Sequence, residues 1–405
     1  MTGGASRAGV VPVVVNVQLM PAERELIRAD ADVRMWVDNQ GELERLLDGP
    51  PAELAPFPLV RPMHYTSGTT GRPKGVWSGV LSEQDAERLW REDIDHGQLG
   101  SGDVHLVCSP LQHSAPIRFA LSTLLVGGTV LLPGPFTLDG ALAAVAERRP
   151  TTTFCTPAHL QRLDDAGHLD AFSTFRFVAH AGAPCPERLK RRAIDRIGAE
   201  RLWEFYGSTE GQFTVCSSAE WLERAGTVGR ARAGRSLDID ADGAVWCHVP
   251  RWARWSYWRD PVRTAAAWRG EAFTVGDLGR LDEGGYLFLA GRRSDLIIFG
   301  GVNVYPAEVE LALIEMPGVD DVVFPRTKRR WGSGCAPRSS ATSTSTSTVA
   351  RFAAERLAPF KRPKEIHKVA AIPRFGLAKV RRDQMARDLG LEPPAEPLAP
   401  TGDGD

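Results

Sequence analysis

The chain is 405 residues long, 43% hydrophobic and 24% charged, which is ordinary for a globular protein and gives length for roughly two to three domains. Its net charge of -1 argues against a nucleic-acid binder, which carries a basic excess or stripe. Six cysteines with no C-x-x-C pair suit reduced thiols in a cytosolic protein better than a disulfide frame or a zinc site.

The opening AGVVPVVVNVQLMPAEREL holds a Val-rich run too short to span a bilayer, and it lacks a basic leader with a small-residue cleavage site. No other window approaches transmembrane length, so a cytoplasmic location is expected. Further on, DVHLVCSP, LSTLLVGGTVLLPG, TTTFCTP and FRFVAHAGAP read as strands, with helical patterns such as LDGALAAVAERR and CPERLKRRAIDRIG between them. This alternation predicts an α/β architecture with largely parallel sheet. The Trp-rich RWARWSYWRD reads as core and domain-face packing. Around Gly291–Glu310, GRRSDLIIFGGVNVYPAEVE leads into a smaller α+β segment, which puts a domain boundary at Ser294. Residues 1–293 then form the large domain, 294–392 the small one, and 393–405 a tail disordered by composition. Gly332–Val349 interrupts the pattern with a Ser/Thr repeat that reads as a flexible polar loop.

The stretch richest in chemistry is YTSGTTGRPKGV, Tyr65–Val76. Glycines let backbone N–H groups converge on an anion, the Ser and Thr hydroxyls add donors, and Lys74 supplies a compact positive charge. The spacing differs from G-x-x-x-x-G-K-[ST], so this is not the P-loop of NTPases. A Gly/Thr turn without a ligand is the plain alternative.

Thr66–Gly75, T-S-G-T-T-G-x-P-K-G, resembles the phosphate-binding signature of the adenylate-forming superfamily, which includes acyl-CoA synthetases, firefly luciferase and peptide-synthetase adenylation domains. Further motifs follow in the family's order over nearly the whole chain. The resemblance implies an acyl-CoA-synthetase-like fold with a large AMP-binding domain and a mobile C-terminal domain. It also implies ATP, Mg²⁺ and CoA as the molecules handled. Thr66, Ser67, Gly68, Thr69, Thr70, Gly71 and Lys74 would cradle the phosphates. His113, in SPLQHSAP, would stand at the mouth of the acyl pocket. AGAP and EFYGSTEG would frame adenine with Gly182, Ala183 and Tyr206, set Thr209 on the α-phosphate, and hold Mg²⁺ on Glu210 together with Thr66. Asp277 in FTVGDLGRLD would accept the ribose hydroxyls and Arg292 would contact ribose and phosphate. Ser294 falls on the hinge, GGVNVYPAEVE on the thiol tunnel, and Lys379 in PRFGLAKVRR takes the place of the catalytic lysine.

The implied reaction activates a carboxylic acid as its adenylate and transfers it to CoA. The segment QHSAPIRFALSTLL carries no acid to pair a substrate ammonium, so a fatty or other apolar acid is expected. Two alternatives stand beside this: a ligase loading a carrier-protein thiol, and a truncated remnant that binds nucleotide without turnover. Three departures from the family bear on the second. An N-terminal segment found in relatives is missing before the opening strand. Ala378 stands where relatives carry Gly. The Ser/Thr run replaces an apolar strand. In a GC-rich gene, Thr-Ser codons read Val-Asp in another frame. The hypothesis is that Gly332–Val349 is a frame-shifted stretch; DNA across Trp331–Phe352 whose other frames lack the family text would sink it.

Overall fold

The computed structural model describes residues 1–50, 52–66, 74–292, 297–299, 302–304, 306–319, 321–324, 334–335, 345–363, 365–369, 372, 374–375, 379–380 and 382–390. At its centre is a seven-stranded sheet. Strands Thr129–Leu131, Val104–Val107, Thr152–Cys155, Phe177–His180 and Leu202–Gly207 lie side by side and parallel. Gln212–Ser217 and Arg230–Ala231 extend it antiparallel. The parallel strands are apolar on both faces, as burial on both sides demands. Phe154 and Phe177 point to one face and pack with Phe119 and Phe205. Their neighbours Cys155 and Val178 point to the other, against Leu160, Leu163, Leu189 and Ile194 of the helices Pro157–Asp165 and Glu187–Ile197.

The α/β expectation holds, and the two helical patterns fold as Leu138–Arg148 and Glu187–Ile197. Two sequence expectations need correction. Parallel pairing dominates only in the central sheet: the sheets around Lys74–Trp77, Val245–His248 and Asp277–Leu281 are chiefly or wholly antiparallel. The run LSTLLVGGTVLLPG also divides. Its first half completes the helix Ser114–Leu125, and only Thr129–Leu131 is strand. That helix is buried nearly all round, so its apolar run lacks the polar face that marks a surface helix.

A third core of Val76, Phe213, Val245, Trp255, Tyr257 and Phe273 joins the central sheet to the neighbouring ones. Trp255 lies edge-on to Tyr257 and Phe273, in keeping with the packing role read for the Trp-rich patch. Toward the C-terminus, the helices Pro306–Ile314 and Thr346–Arg356 enclose a separate core of Val309, Leu313, Val319, Val349 and Ala353. The loop expected over Gly332–Val349 is thus corrected at its end, where Thr346–Val349 is helical. Positions 336–344, the hinge residue Ser294, Ala378 and the tail 393–405 lie outside the described residues. Among the described residues no helix is long and apolar enough to cross a membrane.

Candidate active site

The site forms where two sheets meet. Met63–Thr66 and Lys74–Trp77 pair antiparallel, and their register sets Thr66 directly opposite Lys74 across the loop that carries the glycine-rich signature. Ser67, Gly68, Thr69, Thr70 and Gly71 belong to that loop and lie outside the described residues. On the other side of Lys74–Trp77 runs Ser256–Tyr257, with Tyr257 opposite Val76. Side chains alternate along a strand, so Lys74 and Val76 share a face and Tyr257 is a diagonal neighbour of Lys74. Gly75 keeps this sheet tight, because a Cβ there would stand 3.0 Å from the Tyr65 ring and 3.2 Å from Trp258.

The second element is the turn Gly207–Gly211 between two strands of the central sheet. Ser208 N–H donates to the Gly211 carbonyl (2.8 Å), and Glu210 N–H donates to Ser208 Oγ (3.2 Å). A Cβ on Gly207 would lie 2.7 Å from the Gly211 carbonyl, and one on Gly211 would lie 2.6 Å from the Phe273 ring. These glycines are therefore demanded by close approach. The turn buries Glu210 and leaves Thr209 half-buried.

The two elements meet at Glu210. Lys74 Nζ donates to Glu210 Oε1 (3.1 Å) and to Tyr257 Oη (2.7 Å), while Tyr257 O–H donates to the same Oε1 (2.9 Å). The ammonium also stands 4.2 Å from the centre of the Tyr257 ring. Burial works against a charge on Glu210, but Lys74 and the hydrogen bonds from Ser208 and Tyr257 overcome it and hold the carboxyl below its ordinary range. Burial and the Glu210 charge push the Tyr257 phenol upward, so it stays a donor. Sequence reasoning missed Tyr257, absorbing it into the Trp-rich patch. The available signal was the pattern W-S-Y-W, which places Tyr257 on a strand among packing residues.

A nucleoside-sized wall lies beside this knot. Tyr206 O–H donates to Asp277 Oδ2 (2.6 Å), and Arg292 Nε donates to Asp277 Oδ1 (3.0 Å). Gly276, at φ +80°, turns the chain so that Asp277 can begin its strand. Gly182 sits just past Phe177–His180 at φ +93°, followed by Ala183, and Ala181 packs on the cluster containing Phe205. His113 is the N-cap residue of the helix Ser114–Leu125. Burial pushes nearby His64 down to about 4, against the hydrogen bond between its Nδ1 and the Gln112 carbonyl (3.0 Å). The fold therefore brings Thr66, Lys74, Glu210 and Tyr257 together, and separately Tyr206, Asp277 and Arg292. Lys379 lies on the short strand Lys379–Val380, paired with Phe375; its side chain is outside the described residues.

Whether the residues fit Mg²⁺ is tested by one orphaned atom. Thr66 Oγ1 is buried and has no hydrogen-bond partner. An oxygen so placed, with an ionised carboxylate on Glu210, is the hard-oxygen pair that Mg²⁺ takes when phosphate oxygens and waters complete its shell. Among the described residues no cluster of three or more His, Cys, Asp or Glu forms an all-protein metal cage, which agrees with that mode. The residues fit.

The comparisons with known proteins agree with this geometry. Residues 60–246 match the family model described as AMP-binding enzyme. The chain is 32% identical to an indoleacetate–CoA ligase of Aromatoleum aromaticum, over 90% of this chain and 74% of that protein. It is 30% identical to the long-chain-fatty-acid–CoA ligase FadD13 of Mycobacterium tuberculosis, over 93% of this chain and 83% of that one. The crystal structure of ATP-bound MatB from Rhodopseudomonas palustris is 25% identical, with a TM-score of 0.78 over 95% of this chain and 84% of that one. The fold and site define an ATP-dependent ligase that activates a carboxylic acid by adenylation. The chain belongs to the AMP-binding, adenylate-forming ligase family.

Proposed function

We propose that the protein is an AMP-forming acyl-CoA ligase for an acid with an apolar body. The observation that carries this reading is the knot of Lys74, Glu210 and Tyr257 beside the Tyr206–Asp277–Arg292 wall. A phosphate chain entering at Thr66–Lys74 gives Lys74 a stronger anionic partner than a single carboxylate oxygen and draws it from Glu210. Asp277 offers its carboxylate to the ribose, with Arg292 and Tyr206 fixing its orientation. Gly182, Ala183 and Tyr206 frame the base. Thr66 and Glu210 would hold Mg²⁺, which supplies neutralising charge to the phosphate oxygens when bound.

In the first half-reaction a substrate carboxylate oxygen bonds to the α-phosphorus of ATP, and the bond to the bridging oxygen breaks as pyrophosphate leaves. Thr209 donates to the α-phosphate, and Lys379 offsets the charge that grows there. In the second half the CoA sulfur bonds to the acyl carbon. The carbon–oxygen bond of the anhydride breaks, AMP departs, and the thiol proton passes to solvent. Residues 294–392 form the mobile domain that brings Lys379 for the first half and the GGVNVYPAEVE face for the second. His113 stands at the acyl entrance. Phe119, Phe154, Phe177 and Phe205, which pack beside Ala115 and Ala181, support an apolar acyl body.

Incubating the protein with ATP, Mg²⁺, CoA and a panel of fatty and aromatic acids tests the reading by mass spectrometry. Acyl-CoA and AMP are expected in equal amounts. Acyl-adenylate that accumulates and is never transferred to CoA would shift the acceptor to a carrier-protein thiol. Neither product with any acid, despite bound nucleotide, would overturn the proposal.

A further inference from the structure

Behind the proposed acyl entrance lies a buried cluster of charge that the reaction does not use. Asp93, on the helix Glu83–His96, is 4% exposed. Arg61 donates to its Oδ2 (2.9 Å) and Arg232 to its Oδ1 (3.0 Å), while Arg235 donates to neighbouring Glu92 (2.7 Å). Arg118 adds a fourth guanidinium from the helix Ser114–Leu125. Four cations therefore face two carboxylates, and His96 among them is held neutral by burial and by Arg232.

The excess is visible in the hydrogen bonds. Arg118, whose side chain is 10% exposed, makes no hydrogen bond among the described residues. Its ion-pair contact is Asp93 at 3.8 Å, a carboxylate that already holds two arginines. Arg232 Nη2, Arg61 Nε and His96 Nε2 are buried without hydrogen-bond partners. Burial and the surrounding arginines pull the Arg118 guanidinium down to about 9, against the opposing pull of Asp93. A purely structural ion-pair network closes its charge and its donors; this one leaves both open.

The cluster lies at the far end of the acyl site. Arg118 follows His113 by five residues on one helix, about 7.5 Å along the axis. Arg232 donates to Gln212, two residues past Glu210. His96 packs on Phe205, the residue before Tyr206, with ring centres 4.0 Å apart. Between the entrance and the arginines stand Phe119, Phe154 and Phe205. A substrate carboxylate held near Thr209 and one aromatic ring of apolar body bring the distal end of the acid to Arg118 and Arg232.

We infer that the acid carries a second carboxylate at its far end, received by Arg118 and Arg232. The inference rests on the ligase reading above and names its substrate class. A planar guanidinium fork takes a carboxylate through two parallel hydrogen bonds, whereas an apolar end leaves the donors unsatisfied. A site built for such a group rejects the analogue that lacks it far more strongly than an apolar pocket discriminates by size.

The test compares terephthalate and 4-carboxycinnamate with their 4-methyl counterparts on the full chain. Binding is read by calorimetry without nucleotide, and turnover by ATP–pyrophosphate exchange. At least one diacid is expected to bind more than 10-fold tighter than its methyl partner (on the order of the loss of a charged hydrogen bond). R118M and R232M should each abolish that preference while leaving binding of the methyl acids within about 2-fold. Equal or tighter binding of the methyl acids to the unmodified chain overturns the inference whatever the variants do, so it survives a variant that fails to fold. Exchange with methyl acids and no diacid preference overturns it and leaves the ligase reading. Diacid binding with no exchange upholds it and removes the ligase reading.

Discussion

Lys74 waits on Glu210 and Tyr257 before any phosphate reaches it, and the Tyr257 hydroxyl touches both. When phosphates draw Lys74 away, Tyr257 keeps its bond to Glu210 and holds the carboxylate in place. Removing that hydroxyl in Tyr257→Phe deletes a hydrogen bond to a charged group, worth about 1.5–3 kcal/mol. Steady-state kinetics should show the apparent KM for Mg·ATP rising about 10-fold or more with the KM for the acid unchanged; an unchanged Mg·ATP dependence would leave Tyr257 a packing residue. Glu210→Gln removes the ionised partner of Lys74 and should lower exchange about 100-fold or more while the protein stays folded by circular dichroism. At this scale the sequence announced Thr66, Lys74, Glu210, Asp277 and Arg292 because their motifs are local. Tyr257 was hidden because it lies 183 residues from Lys74 and meets it only through strand pairing. Arg118 was passed over inside an apolar helix, since nothing local reveals that Arg61, Arg232 and Asp93 gather around it.

Among the elements, the turn Gly207–Gly211 is the most exacting. Gly211→Ala places a methyl 2.6 Å from the buried Phe273 ring, so either the ring or the turn must move. A loss of about 1–3 kcal/mol in urea denaturation is expected, together with weaker ATP binding because Glu210 rides on the same turn. Full stability and unchanged ATP binding would show that the turn has slack. The turn was legible as a motif, and its steric reason appears only with Phe273 in place. Elsewhere local pattern misled. LSTLL reads as strand because the helix Ser114–Leu125 is buried on nearly every side. The Ser/Thr run reads as loop, yet Ser345 caps a helix by accepting the Thr348 N–H (3.2 Å), and Val349 and Ala353 supply its buried face.

The whole molecule carries buried histidines that its stability depends on. Burial pushes both His64 and His105 down to about 4, from an ordinary value of 6.5. The unfolded chain therefore binds more protons than the native one between about pH 6.5 and 4, so stability falls as pH drops through that window. The slope is about 1 kcal/mol per pH unit for each histidine, and urea titrations at stepped pH should reveal it. A flat profile would mean these rings are solvated. The α/β class and the order of the central elements followed from alternation of apolar runs, which is a property of sequence. The antiparallel neighbours, and the junction of sheets where the site forms, depend on pairings between distant segments. The most direct test of the central claim is carboxylate-dependent ATP–pyrophosphate exchange by the purified chain. Exchange that requires both an acid and Mg²⁺, and that Lys74→Met and Glu210→Gln each suppress, is the predicted result. Exchange that survives both substitutions, or none with any acid while ATP still raises the melting temperature, would contradict it.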